Sequence, residues 1–425
     1  MKEGRRELQD HSPKEQPPVQ GLSEQESLHF QARREALLSL GQIHKRELDF
    51  RYWLQDTHMI VPASSLKMLH KAVEQGCGAS EELLGRSGIT LSDVAEKLQI
   101  DLTELRQMIE ERPEADLILV DGEDATALKD HVIEAARQNA IEIFTKGKWG
   151  KSLRFYRPSG LELPYCQDDL TTVLFGVEQG SYDRYRVDGI IFPKIDHPDE
   201  IEWVCDLLTA VENKIGLPQE SISLQFLVES AWSIENLEAI CHKAGRRLSG
   251  MIFGLADYGS EVGIPTIDND HPLFDQARLK MVNMAAAFGV FAIDAMTFRY
   301  PVGNKNASAE ENKSGILERL LDVYRDARHA SSLGMAGKWV GHPLQLMAVK
   351  AAFEQGFQPE LLEEKARHVE SYSEAVQNEK GATIIDSMMA DRATDRQTRN
   401  YLKKAILKGK FSKERGAKLG LWEET

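Results

Sequence analysis

The chain alternates between short apolar runs that end in polar residues and longer stretches with apolar positions three and four apart. The runs are HMIVP (58–62), DLILVDGED (116–124), KSLRFYRP (151–158), VDGIIFPKID (187–196), SLQFLVES (223–230), SGMIFGLADYG (249–259), FAIDAMTFRYP (291–301) and MAGKWVGHP (335–343). Amphipathic segments such as LKDHVIEAARQNAIEIF, PDEIEWVCDLLTAVENKI and ILERLLDVYRDARHA lie between them. Apolar runs of this length read as strands buried on both faces, and their alternation with helices implies parallel βα units. Eight such units close into a TIM (β/α)8 barrel, so the fold class is α/β. An open doubly wound sheet is the alternative. It usually carries a Gly-rich phosphate turn after its first strand, whereas this chain reads VPASSLKML there, which favours the barrel.

Two segments break the rhythm. Residues 77–114 predict a helical insertion after the first βα unit, and 302–315 (VGNKNASAEENKSG) a polar loop. Residues 1–50 read as a polar N-terminal extension, partly helical, with 1–27 disordered or loosely held. The barrel with its insertion occupies 51–357, and 358–425 form a helical C-terminal region.

Composition narrows the functional classes. Among 425 residues, 42 % are apolar, enough for a sizeable core. The net charge of −15 argues against unspecific nucleic-acid binding, which depends on Lys and Arg neutralising phosphates. The insertion, TLSDVAEKLQIDLTELRQMIEER, looks superficially like a helix-turn-helix. Its second helix carries Asp101, Glu104, Glu110 and Glu111, where a recognition helix should be basic, so it reads as a helical cover or oligomer contact. The four cysteines are far apart and form no CxxC pair, which fits a reducing, cytoplasmic setting. The first 20 residues are polar with no apolar core, and no run of about 18 apolar residues occurs, so neither a secretory signal nor a membrane span is expected.

Barrel enzymes place their active residues at the C-terminal ends of strands. That rule selects Asp121, Glu123, Asp124, Arg154, Lys194, Asp196, Glu229, Asp257, Asp294 and His342. Glu229 closes the apolar run LQFLV, and Asp257 closes MIFGLA. A carboxylate in that position costs several kcal/mol unless it is paired or bound to a metal, and two on neighbouring strands repel. A hard cation resolves the conflict: Mg2+ is typically held by one or two carboxylates with water and substrate oxygens, and Mn2+ is an alternative. For any one of these acids, capping the following helix is the more natural role; for Glu229 and Asp257 together, a shared cation is. Arg154 has the planar fork for bidentate capture of a carboxylate or phosphate, or for a buried ion pair with Asp121 or Glu123. His342 precedes a proline in GKWVGHPLQ and reads as a packed histidine or a substrate contact.

The motifs MIVPASS, VDGED, LRFYRP, PKID, VES, FGLADYG and GKWVGHP, in this order over about 58–395, resemble the HpcH/HpaI aldolase superfamily, in its citrate lyase β-subunit/malyl-CoA lyase branch. That resemblance implies that Glu229 and Asp257 bind Mg2+, that Arg154 contacts the substrate's carboxylate and carbonyl end, and that Glu123 and Asp124 surround the waters of the metal. It further implies a C-terminal lid folding over a neighbouring subunit of a homo-oligomer, trimer or hexamer. IIDSMMADRAT matches the lid motif and makes Asp391 the candidate for proton transfer. The chain departs from the pattern at Ser387 and Gly341, and at Ala63 and Ser64 in the first strand's turn. The implied activity is carbon–carbon cleavage of a malyl- or citramalyl-CoA-like thioester to an α-keto acid and an acyl-CoA. A CoA-independent class II aldolase, an acyl-CoA thioesterase and a non-catalytic metabolite-binding protein are the alternatives.

Overall fold

Eight parallel strands pair in sequence order and close on themselves: β1 (Thr57–Pro62), β2 (Leu117–Asp121), β3 (Leu153–Arg157), β4 (Gly189–Phe192), β5 (Ser223–Val228), β6 (Leu248–Phe253), β7 (Phe291–Asp294) and β8 (Gly337–Val340). The last strand returns to the first, with Thr57 opposite Lys338 and Met59 opposite Val340. The computed structural model describes residues 23–43, 48–123, 129–177, 187–267 and 270–421. The chain divides into two units, Met1–Arg46 and Glu47–Thr425. The first contributes the helix Glu24–Ile43, and the part of the predicted loose segment at 1–22 lies outside the described residues.

Strand side chains alternate between two environments. Leu117, Leu119, Leu153, Phe155, Ile191, Leu227, Ile252, Ile293 and Trp339 fill the barrel's interior as one buried cluster. Their neighbours of opposite parity, such as Ile118, Val120 and Tyr156, join the larger core between strands and helices. This parity decides which end-of-strand residues can reach the mouth.

The inserted helices Ser80–Gly85, Leu91–Leu98 and Leu102–Glu111 bury Leu84, Val94, Leu98 and Leu105 in that outer core. A Thr90/Asp93 capping box starts the middle helix, and Asp93 pairs with Lys313 at 3.0 Å. The insertion therefore covers its own barrel.

The C-terminal region is not wholly helical. Between helices Pro359–Gln377 and Arg392–Leu407 a hairpin forms from β9 (Ala382–Ile385) and β10 (Met388–Asp391). Its two-residue turn, Asp386–Ser387, has both residues at positive φ (49° and 66°), the backbone that tight hairpins require. The far end of helix Arg392–Leu407 reaches the barrel floor, where Lys404 lies 3.4 Å from Asp56, and Lys408 also pairs with Asp56.

Candidate active site

A cavity of about 420 Å3 opens at the C-terminal ends of the strands. Glu229, immediately after β5, and Asp257, in the first turn of helix Leu255–Glu261 after β6, both line it, together with Asp121 and Arg157. The remaining wall is largely apolar, from Ile60, Met68, Leu227, Met296, Phe298 and Trp339.

Glu229 is 6 % exposed, and its carboxyl is pushed up to about 8. Burial is the main cause, followed by the negative charges of Glu123 and Asp257. The backbone N–H of Lys194 opposes this by donating to Glu229 Oε1 at 2.5 Å. Lys194 adopts φ +52°, a left-handed conformation rare for a side chain of its size, and that strain aims the amide at the carboxylate. Gly254 leaves no room for a larger residue, because a Cβ there would lie 2.7 Å from Glu229 Oε2. We expect Gly254→Ala to displace the Glu229 carboxylate and lower kcat/KM by about 10- to 100-fold while the protein still folds, measurable by steady-state assay beside a melting curve.

Arg157 is the cation of the mouth. Its Nε and second guanidinium nitrogen donate to the two Asp121 oxygens at 2.6 and 2.9 Å. Its other nitrogen lies 2.9 Å from Glu123 Oε2. The guanidinium sits over the Trp339 ring, 5.5 Å from the centroid. Lys194 Nζ completes the group at 3.0 Å from Glu123 Oε1.

Arg154 is a correction. It lies near the start of β3, at the opposite end of the barrel, and pairs with Asp188 rather than with Asp121 or Glu123. Asp188 accepts from Arg154 N at 2.9 Å and Nε at 3.1 Å, and also pairs with Arg51 at 2.6 Å. The physical reason is strand parity. Leu153, Phe155 and Arg157 point inward, whereas Arg154 and Tyr156 point toward the helices. Arg157, as the last residue of the inward-pointing set, carries the signal that identifies it.

The other candidates divide. Asp121 and Glu123 are in the mouth cluster; Asp124 lies outside the described residues. Asp294 is buried away from the cavity, ion-paired to Arg278 at 2.7 Å and to Lys338 at 2.7 Å. Asp196 accepts from the Ser230 hydroxyl at the rim. His342 acts locally. Its Nδ1 accepts from Leu344 N at 3.2 Å and caps helix Pro343–Glu354, with burial pulling its pKa down. Asp391 does not line its own chain's cavity. It caps helix Arg392–Leu407 by accepting from Ala393 N (2.9 Å) and Thr394 N (3.0 Å), and the Thr394 amide leads the contacts that hold its carboxyl below the usual range.

Tyr300 also lines this cavity, a position that no pattern in the sequence marks. Its hydroxyl projects into the cavity wall over Gly341 and donates to Met296 Sδ at 3.1 Å, a soft acceptor. A methyl group at 341 would overlap that hydroxyl. The expected result for Gly341→Ala is a raised KM with kcat changed less than about threefold, read from a substrate titration.

Among the described residues, no three His, Cys, Asp or Glu side chains form a ready-made metal cage. What fits a cation is different: an all-oxygen pair, Glu229 and Asp257, whose mutual repulsion and burial leave Glu229 short of positive charge. Such a site suits a hard ion that keeps water or substrate oxygens in its shell.

The family model described as Domain of unknown function (DUF6986) matches residues 186–424. The chain belongs to this family. It is 26 % identical over 300 residues to an L-malyl-CoA/beta-methylmalyl-CoA lyase of Haloarcula marismortui, covering 68 % of this chain and 80 % of that one. It is 25 % identical over 292 residues to the human mitochondrial citramalyl-CoA lyase, covering 67 % and 77 %. In structure it is similar to a citrate lyase from Burkholderia xenovorans, with TM-score 0.60, 20 % identity and coverage of 86 % and 96 %. It is also similar to the CitE protein of Mycobacterium tuberculosis in complex with magnesium, acetoacetate and coenzyme A, with TM-score 0.51, 17 % identity and coverage of 84 % and 99 %. These likenesses to solved structures establish the barrel fold of this DUF6986 member.

Proposed function

We propose that this protein is a divalent-metal-dependent carbon–carbon lyase that cleaves a malyl- or citramalyl-CoA-like β-hydroxyacyl thioester into an α-keto acid and an acyl-CoA. The observation that carries the reading is the pairing of Glu229 and Asp257 on one cavity whose wall also holds Arg157. Relatives named as malyl-CoA and citramalyl-CoA lyases support the substrate class.

Glu229 and Asp257 would hold the ion, Mg2+ foremost with Mn2+ as a substitute. When bound, the ion acts as a Lewis acid toward the keto or hydroxy oxygen of the substrate. Arg157 supplies a fixed positive charge beside that oxygen and braces Asp121 and Glu123 against their own repulsion. The apolar wall of Met68, Met296, Phe298 and Trp339 excludes water from the reacting bond. Cleavage turns the hydroxyl into a carbonyl with loss of its proton. The bond electrons pass to the acyl carbon as an enolate, which takes up one proton.

Asp391 is the candidate for that proton transfer. Its carboxyl, held ionised by the backbone amides of Ala393 and Thr394, suits the base role in the bond-forming direction. Its helix is anchored by Lys404 and Lys408 at the barrel floor. The hairpin ahead of it exposes Ile384 (76 %), Met388 (54 %) and Met389 (63 %), an apolar edge suited to a second copy of this chain. In this reading each arm would complete a neighbour's site in a trimer or hexamer, and a reducing, cytoplasmic setting fits the unbridged cysteines.

The deciding assay is malyl-CoA or citramalyl-CoA with Mg2+, with products read by mass spectrometry. The keto acid plus acetyl-CoA is expected; free hydroxy acid plus CoA would mean a thioesterase instead. Mixing inactive Asp391→Ala with inactive Glu229→Gln subunits, followed by subunit exchange, is expected to restore about a quarter of wild-type turnover. No recovery would mean that Asp391 does not complete a neighbour's site.

A further inference from the structure

A second cavity, of about 590 Å3, lies at the N-terminal end of the barrel, opposite the candidate active site. Four parts of the chain build it: the barrel floor before β1, β2 and β3, the inserted helix Leu102–Glu111, the helix Pro343–Glu354, and the end of helix Arg392–Leu407 with the turn that follows it. Its size falls within the range of small-molecule sites.

In a chain of net charge −15, this wall carries an excess of cations. Arg51, Arg112, Lys151, Lys350, Lys408 and Lys410 line it, against four carboxylates. Two of the four are already engaged. Asp116 pairs with Arg112 at 3.3 Å and accepts from Thr57 N and Oγ1 at 3.0 Å each. Glu354 is shared by Arg112 and Lys410, at 3.1 Å from each.

Lys350 is 2 % exposed, and its ammonium donates only to the carbonyls of Arg112 and Glu114. Among the described residues neither Lys350 nor the exposed Lys151 makes an ion pair. Lys408 shares the single carboxylate of Asp56 with Lys404, which does not line the wall. Desolvation pulls Lys350, Lys404 and Lys408 down, Lys404 to about 8 and Lys408 to about 7.

We propose that this cavity binds a small, multiply charged anion bearing phosphate or carboxylate groups, which ties the insertion and the C-terminal arm to the barrel floor. The anion supplies the charge that Lys350 and Lys151 lack. The site is independent of the proposed catalytic reading, since no lining residue is shared between the two cavities.

The test uses metal-free, full-length protein at fixed ionic strength, with the unfolding temperature measured against pyrophosphate and, separately, tricarballylate. A saturable rise is expected, and the tighter of the two anions identifies the head group recognised. Lys151→Glu, at an exposed position without an ion pair, is expected to fold normally and to weaken binding by about tenfold or more. Lys350→Met serves as the buried counterpart, with the same direction. Glu229→Gln, at the other end of the barrel, is expected to leave anion binding unchanged. A rise that never saturates, one that Lys151→Glu does not weaken, or one that Glu229→Gln abolishes would overturn the proposal.

Discussion

Glu229→Gln is expected to lower kcat/KM by about 10^3-fold or more at saturating Mg2+, roughly 4 kcal/mol of lost transition-state stabilisation. The amide keeps the shape of the carboxylate and the hydrogen bond from Lys194 N but loses the charge that would hold the ion. The same substitution is expected to raise the melting temperature of the metal-free protein. Burial and the neighbouring Glu123 and Asp257 raise the Glu229 carboxyl from 4.5 to about 8. A carboxyl with a raised folded-state pKa contributes stability below its unfolded pKa and loses it as pH rises through the folded value. The metal-free wild type should therefore lose stability between about pH 4.5 and 8, and Glu229→Gln should flatten that slope. Over the same window Mg2+ competes with one proton, so its apparent affinity should rise about tenfold per pH unit toward pH 8. Calorimetric titration at three pH values measures this directly. A pH-independent affinity, or full activity in the presence of EDTA, would remove Glu229 from the metal site.

The second large effect separates two arginines on one strand. Arg157→Lys keeps a positive charge at the mouth but loses the fork that bridges Asp121 and Glu123, and kcat/KM should fall by about 10^2- to 10^3-fold. Arg154→Met should instead leave kcat within about threefold and cost about 3 kcal/mol of stability, because Asp188 loses its partner inside the barrel wall. Arg51, still 2.6 Å from Asp188, limits that cost. Urea unfolding together with steady-state kinetics on both variants distinguishes the roles. Comparable activity loss in the two would mean that strand parity does not decide which arginine meets the substrate.

Much of this arrangement is legible in the chain itself. Short apolar runs separated by amphipathic stretches determine a parallel barrel, because each strand must be covered on both faces and each helix must bury one. Glu229 and Asp257 stand out because a charge at the end of an apolar run needs a reason to be there. Arg154 and Arg157 are both visible in LRFYRP, yet which of them faces the barrel's interior follows only from the register of β3 between β2 and β4.

Other features depend on the tertiary structure alone. Asp294 reads as a further mouth acid along the chain, and only folding encloses it between Arg278 and Lys338, the latter distant in sequence. The cationic cavity at the barrel floor joins Arg112, Lys350 and Lys410, which no local pattern brings together. The sequence specifies local periodicity and the chemistry available at each position. Which charges meet is decided when the chain closes, since electrostatic partners are set by distance through space rather than by separation along the backbone.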